Sequence, residues 1–257
     1  AAALGGLLLP MMQQVGYNKG RAGGIIASGA ILGPIIPPST NFIILGSTIG
    51  GLSITKLFMI GLFPGIFLGL GLMAVWWFIV RKDGYTETIT FSRAETIAIL
   101  KDASPAFMLP VLLLGGIRFG VFTPTEGGAF CAVFAIAVCM FYYRELSFRD
   151  LLRVSAAAAR TTAVVMLIVA TASAVGDFIT LAQIPKHMTT LFGPFIESPF
   201  MLLTIIMCFL LVAGMVMDLT PNILIFAPVF YPLILEAGID PYHFGLLFVL
   251  NLGIGVI

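Results

Sequence analysis

Charge is what this sequence has least of. Only 10% of its 257 residues are charged, against 60% hydrophobic, and the mean hydropathy is +1.10. A soluble domain carries about a quarter charged residues, so this composition specifies a polytopic membrane protein instead. The net charge of +1 leaves no basic footprint for nucleic acid. Cys131, Cys139 and Cys208 stand singly in apolar segments without a Cys-x-x-Cys, and read as inert buried thiols rather than a disulfide framework. His187 and His243 lack metal-ligand spacing and suit structural positions at the membrane interface. There is no Gly-rich phosphate loop ending in Lys-Ser/Thr, no Gly-x-Ser-x-Gly elbow and no His-Glu-x-x-His pair. ATP is therefore not the evident energy source, and two large hydrolase classes drop out.

What is present is a series of uncharged or nearly uncharged runs: 1–17, 22–48, 57–80, 103–117, 127–143, 161–176, 198–217 and 219–235. The chain opens Ala1-Ala2-Ala3 without Met and stops at Gly255-Val256-Ile257 with no interfacial residue, so a longer parent chain is expected. In run 22–48, long enough to span a bilayer, lies Gly33-Pro34-Ile35-Ile36-Pro37-Pro38-Ser39-Thr40-Asn41. Adjacent prolines remove two helical N–H donors and push the preceding residues out of the α region. In lipid each freed carbonyl costs several kcal/mol unless protein, water or an ion takes it. One reading is a proline kink repaired by neighbouring helices. The clustering of polar residues behind Pro37 and Pro38 favours the other, a broken helix at an ion or substrate site. Residues 37–41 are expected to be non-helical.

The span 198–236 is 39 residues, about 58 Å as one helix and nearly twice the ~30 Å hydrocarbon thickness. It should fold back near its midpoint, at Asp218-Leu219-Thr220-Pro221-Asn222, as a re-entrant hairpin. Na⁺ is a hard cation that takes oxygen ligands, and unwound backbone is its usual partner in such folds. The first break offers carbonyls around Gly33, Pro37 and Pro38, with Ser39, Thr40 and Asn41; the second offers Asp218, Thr220 and Asn222. Asp218 is the strongest single candidate, because an ionisable group inside an apolar segment is functional by default; a helix cap is its structural alternative. Ser39→Ala is expected to weaken Na⁺ dependence with little loss of folding.

A shift of 222 residues aligns Pro10 with Pro232, Gly16 with Gly238, Gly23 with Gly245, Gly33 with Gly255 and Ile35 with Ile257. The first turn, Asn18-Lys19-Gly20-Arg21, is basic, while Glu236 and Asp240 flank the second, so the copies should face opposite sides as an inverted repeat. The corresponding topology puts ten of thirteen basic residues inside and leaves Lys56, Arg118 and Lys186 outside. Residues 1–143 then hold a partial first repeat and the spans after it, and 144–257 a partial second repeat. The stretches 90–102 and 144–160 are amphipathic, and read as surface-lying or connecting helices.

A third polar break, Gly115 to Glu126, supplies Arg118, Thr123, Thr125 and Glu126. Arg118 could hold a substrate carboxylate or staple the interruption through Glu126, and the staple is preferred. Asp177, closing run 161–176, suits a cap or the interface. Gly65-x-x-x-Gly69 suits close helix packing, and Trp76 and Trp77 ahead of Arg81-Lys82 suit an interfacial belt.

Gly16-Tyr17, Gly33-Pro34-Ile35-Ile36-Pro37-Pro38-Ser39, Gly120-Val121-Phe122-Thr123-Pro124-Thr125-Glu126 and the segment from Asp218 through Gly238-Ile239-Asp240-Pro241, His243-Phe244-Gly245 and Asn251-Leu252-Gly253-Ile254-Gly255 together resemble the large membrane subunit of tripartite ATP-independent periplasmic (TRAP) transporters. The resemblance covers essentially the whole chain. It implies an all-α polytopic membrane protein of inverted-repeat, ion-transporter type, with a re-entrant hairpin and discontinuous helices. It further implies a bacterial inner-membrane location and Na⁺-driven, elevator-type import of an organic acid such as a C4-dicarboxylate or a sialic-acid-like carboxylate. A periplasmic binding protein and a small four-helix membrane subunit are the implied partners, with Na⁺ as coupling ion and no organic cofactor. The family's Ser-Gly-Ser-Ser tip would precede Ala1, and its Thr-Pro-Pro-Val-Gly would follow Ile257. A Na⁺/dicarboxylate symporter without a binding protein shares the same logic. An intramembrane enzyme using Asp177 and Asp218 would need the two carboxylates a few Å apart.

Overall fold

Helices are the only way for single segments of so apolar a chain to satisfy their own backbone, and in the computed structural model every regular element among the described residues is one. The structure describes residues 2–83 and 92–256. Thr90, at the edge of one amphipathic stretch, lies outside them. Helix α1 (Ala2–Gln14) turns at Gly16 into α2 (Lys19–Ala30). The short α3 (Leu32–Ile35) and α4 (Thr40–Ile49) follow, and the chain axis bends by 42° between Lys19–Ile35 and Thr40–Ile49. Then come α5 (Ile54–Asp83), α6 (Arg93–Arg118) and α7 (Pro124–Ala137), which runs on into a π-helical turn, Val138–Tyr142. The last five are α8 (Phe148–Leu181), α9 (Ile184–Ile196), α10 (Pro199–Val216), α11 (Leu219–Glu236) and α12 (Pro241–Gly255). Among the described residues, six helices are long and apolar enough to cross a membrane, or seven if the bent pair is one span.

Two amphipathic stretches are not separate surface helices. Residues 93–102 are the first turns of the 26-residue α6, and 148–160 are the first turns of the 34-residue α8. At ~1.5 Å per residue α8 is about 51 Å long, so its charged end extends a span rather than lying beside one. Asp177 sits within α8, exposed, and does not cap it. Cys131 and Cys139 are half-buried and Cys208 is exposed on α10, so full burial of the thiols is also corrected.

The turn from α1 to α2 and the turn from α11 to α12 have the same construction at the shift of 222. Backbone N–H groups of Val15, Gly16 and Tyr17 donate to the carbonyls of Met11, Gln13 and Met12; those of Ala237, Gly238 and Ile239 donate to Leu233, Leu235 and Ile234. Gly16 and Gly238 take φ of 94° and 70°, a left-handed conformation that glycine adopts without Cβ strain. Asn18 and Asp240 then cap the next helix, each side chain accepting N–H bonds from its first turn.

The chain forms two compact units: Ala1–Thr88 with Thr171–Ile257, and Ile89–Ala170. In the first, α12 is a central post, its Phe244, Phe248, Val249 and Leu252 fully buried. It packs on α3, α4, α5, α10 and α11, while α11 also packs on α4 and α9. Half of the α11 span is buried, against 6–22% of the other five. The outer face of α5 carries Phe63 and Phe67 exposed, as contact with hydrocarbon requires. Near the end of α5 the Arg81 guanidinium stacks over the Trp77 ring at 4.3 Å and Trp76 meets Tyr17, an interfacial belt. In the second unit Phe122 tucks beneath Gly116, where a Cβ would lie 1.8 Å from its ring.

Candidate functional site

The break in the first run covers residues 36–39. Thr40 and Asn41, expected to be non-helical, are instead the first turn of α4. The reason is a cap: Ser39, with φ −108° and ψ 117°, starts α4 by accepting the Phe42 N–H at 3.3 Å. The Ser39 hydroxyl also donates to the Pro34 carbonyl. In a continuous helix that carbonyl would take the N–H of residue 38, and Pro38 has none. Ser39 therefore caps one helix and repairs the one before it, while 1% exposed. Pro37 is buried with it, whereas Gly33, Pro38 and Thr40 are exposed and Asn41 is half-buried.

The break is held by α5. A Cβ on Gly61 would lie 2.6 Å from the Ile35 carbonyl oxygen and 2.6 Å from the Phe42 ring, and one on Gly65 2.5 Å from Ile36. The small-residue face of α5 is thus a notch for the broken segment. The sequence pattern named Gly65 and Gly69; Gly61 and Gly65 make the closest approach, and Gly69 has 3.7 Å to its nearest neighbour.

The second break is the turn Met217–Asp218 between α10 and α11. Asp218 caps α11, its carboxylate accepting the Leu219 N–H at 2.8 Å, and its side chain is exposed. Thr220 is half-buried. Asn222 is fully buried, and its Nδ2 donates to the carbonyls of Met217 at 2.9 Å, Asp218 at 3.1 Å and, longer, Ala213 at 3.4 Å. These carbonyls lie at the end of α10 and in the turn; those of Ala213 and Asp218 also accept the backbone N–H groups of Met217 and Asn222, at 3.0 and 3.3 Å. Three acceptors around Nδ2 fix the amide orientation, because flipping it would set oxygen against oxygen. The Oδ1 atom is then a buried acceptor without a partner among the described residues. Buried acceptors are normally satisfied, and an amide oxygen is a ligand type for hard cations.

The C-terminal end of α12 packs against the segments that lead into both breaks. A Cβ on Gly253 would touch Ile31, just ahead of the first break, at 3.7 Å. One on Gly255 would lie 2.8 Å from the Leu211 carbonyl and 3.0 Å from the Gly214 Cα, just ahead of the second. Further along, Asn251 Nδ2 donates to the Met207 carbonyl at 2.6 Å, tying α12 to α10. Gly253 and Gly255 were not picked out as site residues; their signal was the register that pairs Gly255 with Gly33.

The second-tier candidates belong to the other compact unit. Thr123 and Glu126 form a capping box on α7: Thr123 N–H and Oγ1–H donate to Glu126 Oε2 at 2.8 and 2.9 Å, and Glu126 N–H donates to Thr123 Oγ1 at 3.3 Å. Arg118 ends α6, and both it and Thr125 are exposed.

With this geometry, comparison with known proteins is direct. The family model described as tripartite ATP-independent periplasmic transporter, DctM component, matches residues 1–257. The 2,3-diketo-L-gulonate TRAP transporter large permease protein YiaN of Escherichia coli (strain K12) is 45% identical over 256 residues, covering 100% of this chain and 60% of that protein. The C4-dicarboxylate TRAP transporter large permease protein DctM of Pseudomonas aeruginosa is 35% identical, with the same coverage. The sialic acid TRAP transporter large permease protein SiaM of Vibrio cholerae is 34% identical, again over 100% of this chain and 60% of that protein. The chain thus spans about 60% of the length of these relatives. A multi-pass chain of the bacterial inner membrane, helical in every regular element of its described residues, it belongs to the DctM family of TRAP transporter large permeases.

Proposed function

We propose that the chain carries most of a transport unit for Na⁺-coupled import of an organic acid. The observation that carries this reading is the convergence of two interrupted elements on one end of α12, with the unpartnered Asn222 Oδ1 buried at the second. Named relatives take diketogulonate, C4-dicarboxylates and sialic acid. All three are organic acids, and another relative, 34% identical, is named for isethionate, a sulfonate, so an organic anion is the shared feature the site would recognise. Na⁺ would be held by oxygens from Ser39, Thr40, Asn41 and the carbonyls around Gly33, Pro37 and Pro38 at the first break, and by Asp218, Thr220 and Asn222 at the second. Arg118, Thr123, Thr125 and Glu126 stay second-tier, since two of them already have structural bonds.

The repeated turn, with its matching hydrogen bonds, supports two copies of one motif, and the basic first turn against the acidic second supports their inversion. Inverted copies allow one substrate site to be reached from either side, as an elevator motion needs. The substrate would arrive on a periplasmic binding protein, with a small four-helix subunit alongside. The test is uptake by the full-length complex in proteoliposomes. Uptake should need both an inward Na⁺ gradient and the binding protein. Uptake without the binding protein would instead indicate a simple symporter, and uptake indifferent to Na⁺ would remove the coupling ion.

A further inference from the structure

One cavity is unrelated to the two breaks. It has a volume of about 380 Å³, is partly open, and lies between α9 and the α10–α11 pair, with Ile179 of α8 also on its lining. Ile184, Met188 and Phe192 line it from α9, at spacings of four that set them on one helical face. Ile205 and Phe209 of α10 and Ile225 and Phe230 of α11 form much of the opposite wall. Phe209 packs edge-on against Phe226 and Phe230 at 5.1 and 5.6 Å, so an aromatic cluster braces that wall. Among the described residues, the side chains that line the cavity are all apolar.

Those facts restrict the occupant. Water needs two to four polar partners in a cavity, and a hole of only about 150 Å³ lined by Leu, Ile and Phe stays dry and takes an apolar molecule. A carboxylate substrate would leave its charge unpaired here. A protein helix is roughly 10 Å across with its side chains and does not fit in such a volume. The walls contributed by α10 and α11 belong to helices long and apolar enough to cross a membrane, so hydrocarbon is the medium that suits them. Helix α9 is amphipathic: Lys186 and His187 are exposed, and Lys186 points away from the face that lines the cavity. Such a helix lies at the bilayer surface with its apolar side inward and its cationic side among headgroups. One face of α9 thus lines the slot, and its exposed face carries Lys186, a charge that suits a phosphate.

We propose that this cavity holds one acyl chain of a membrane phospholipid, whose headgroup lies beside α9. The chain supplies the dispersion contacts that an empty slot would forfeit. It also wedges α9 against the limbs of the pair whose turn carries Asp218. The site lies along the limbs, away from the turn, and does not depend on the coupling ion.

The test is photolabelling of the full-length protein in phosphatidylethanolamine–phosphatidylglycerol vesicles doped with phosphatidylethanolamine bearing an acyl-chain diazirine. Peptides covering 184–192, 205–209 and 225–230 should label at least threefold more per residue than the lipid-facing α5 peptide containing Phe63 and Phe67. Ile205→Trp and, separately, Ile225→Trp should lower labelling of the remaining lining peptides about fivefold and leave the α5 peptide unchanged. Lining labelled no better than the α5 face means ordinary annular lipid and overturns the proposal; this comparison decides even if a Trp variant fails to fold. Labelling unaffected by either folded Trp variant also overturns it. So does labelling by a free diazirine fatty acid with none by the phospholipid, or crosslinking of these peptides to another polypeptide.

Discussion

Pro38 cannot donate to the Pro34 carbonyl, and the Ser39 hydroxyl makes good the loss. Removing that hydroxyl leaves a carbonyl and the Phe42 N–H without their partner in a 1% exposed setting. Ser39→Ala is therefore expected to cost about 1–3 kcal/mol of stability, against the little loss that the sequence alone suggested. Chemical unfolding in detergent, with a full set of baselines, checks it; an unchanged midpoint would mean that water replaces the hydroxyl. Asp218 and Asn222 divide the work differently from what their residue types suggest. The charged residue is exposed and caps a helix, while the neutral amide is buried and holds the unpartnered oxygen. Asp218→Asn keeps a capping side chain and removes a charge. It is expected to raise the Na⁺ concentration for half-maximal uptake at least tenfold with insertion and assembly intact. Uptake that is near normal at limiting Na⁺ would leave Asp218 as a cap alone.

Among elements, the notch in α5 sets how deep the broken segment can sit. Gly61→Ala would push a methyl into the Ile35 carbonyl and the Phe42 ring, whereas Gly71 has nothing within 4 Å of its Cβ position. Gly61→Ala should destabilise by about 1–3 kcal/mol, the usual cost of overpacking, and lower uptake, and Gly71→Ala should do neither. Thermal stability and uptake of the pair decide; equal behaviour would show that the notch is not a constraint. The break and the hairpin turn were legible because proline chemistry and bilayer thickness are local arithmetic. The small-residue pattern on α5 was legible as packing, but its partner was not, since sequence spacing does not say which backbone will approach. Similarly, alternating charge over 90–102 and 144–160 allowed surface-lying or connecting helices alike, because amphipathicity reports only a face. Whether a helix continues into the next run depends on backbone continuity, which Ser92 and its capping box with Glu95 show by starting α6 at Arg93.

At the scale of the whole molecule, the weak identities at the shift of 222 gain weight from the hydrogen bonds that repeat at the same register. The all-helical membrane fold and the family followed from composition and motif order. The burial of Asn222, and the packing of Gly253 and Gly255 against the segments that lead into both breaks, did not, because they depend on long-range packing of α12 against α3 and α10. The central claim is that oxygens at these breaks, Asn222 Oδ1 among them, bind the coupling ion. Equilibrium binding of radiolabelled Na⁺ to the purified full-length protein, wild type against Asn222→Leu, tests it most directly, with Na⁺-free thermal melting as the folding control. Saturable binding in the wild type that weakens at least tenfold in a folded Asn222→Leu protein is the predicted result. Equal Na⁺ affinity in the two proteins would contradict the account.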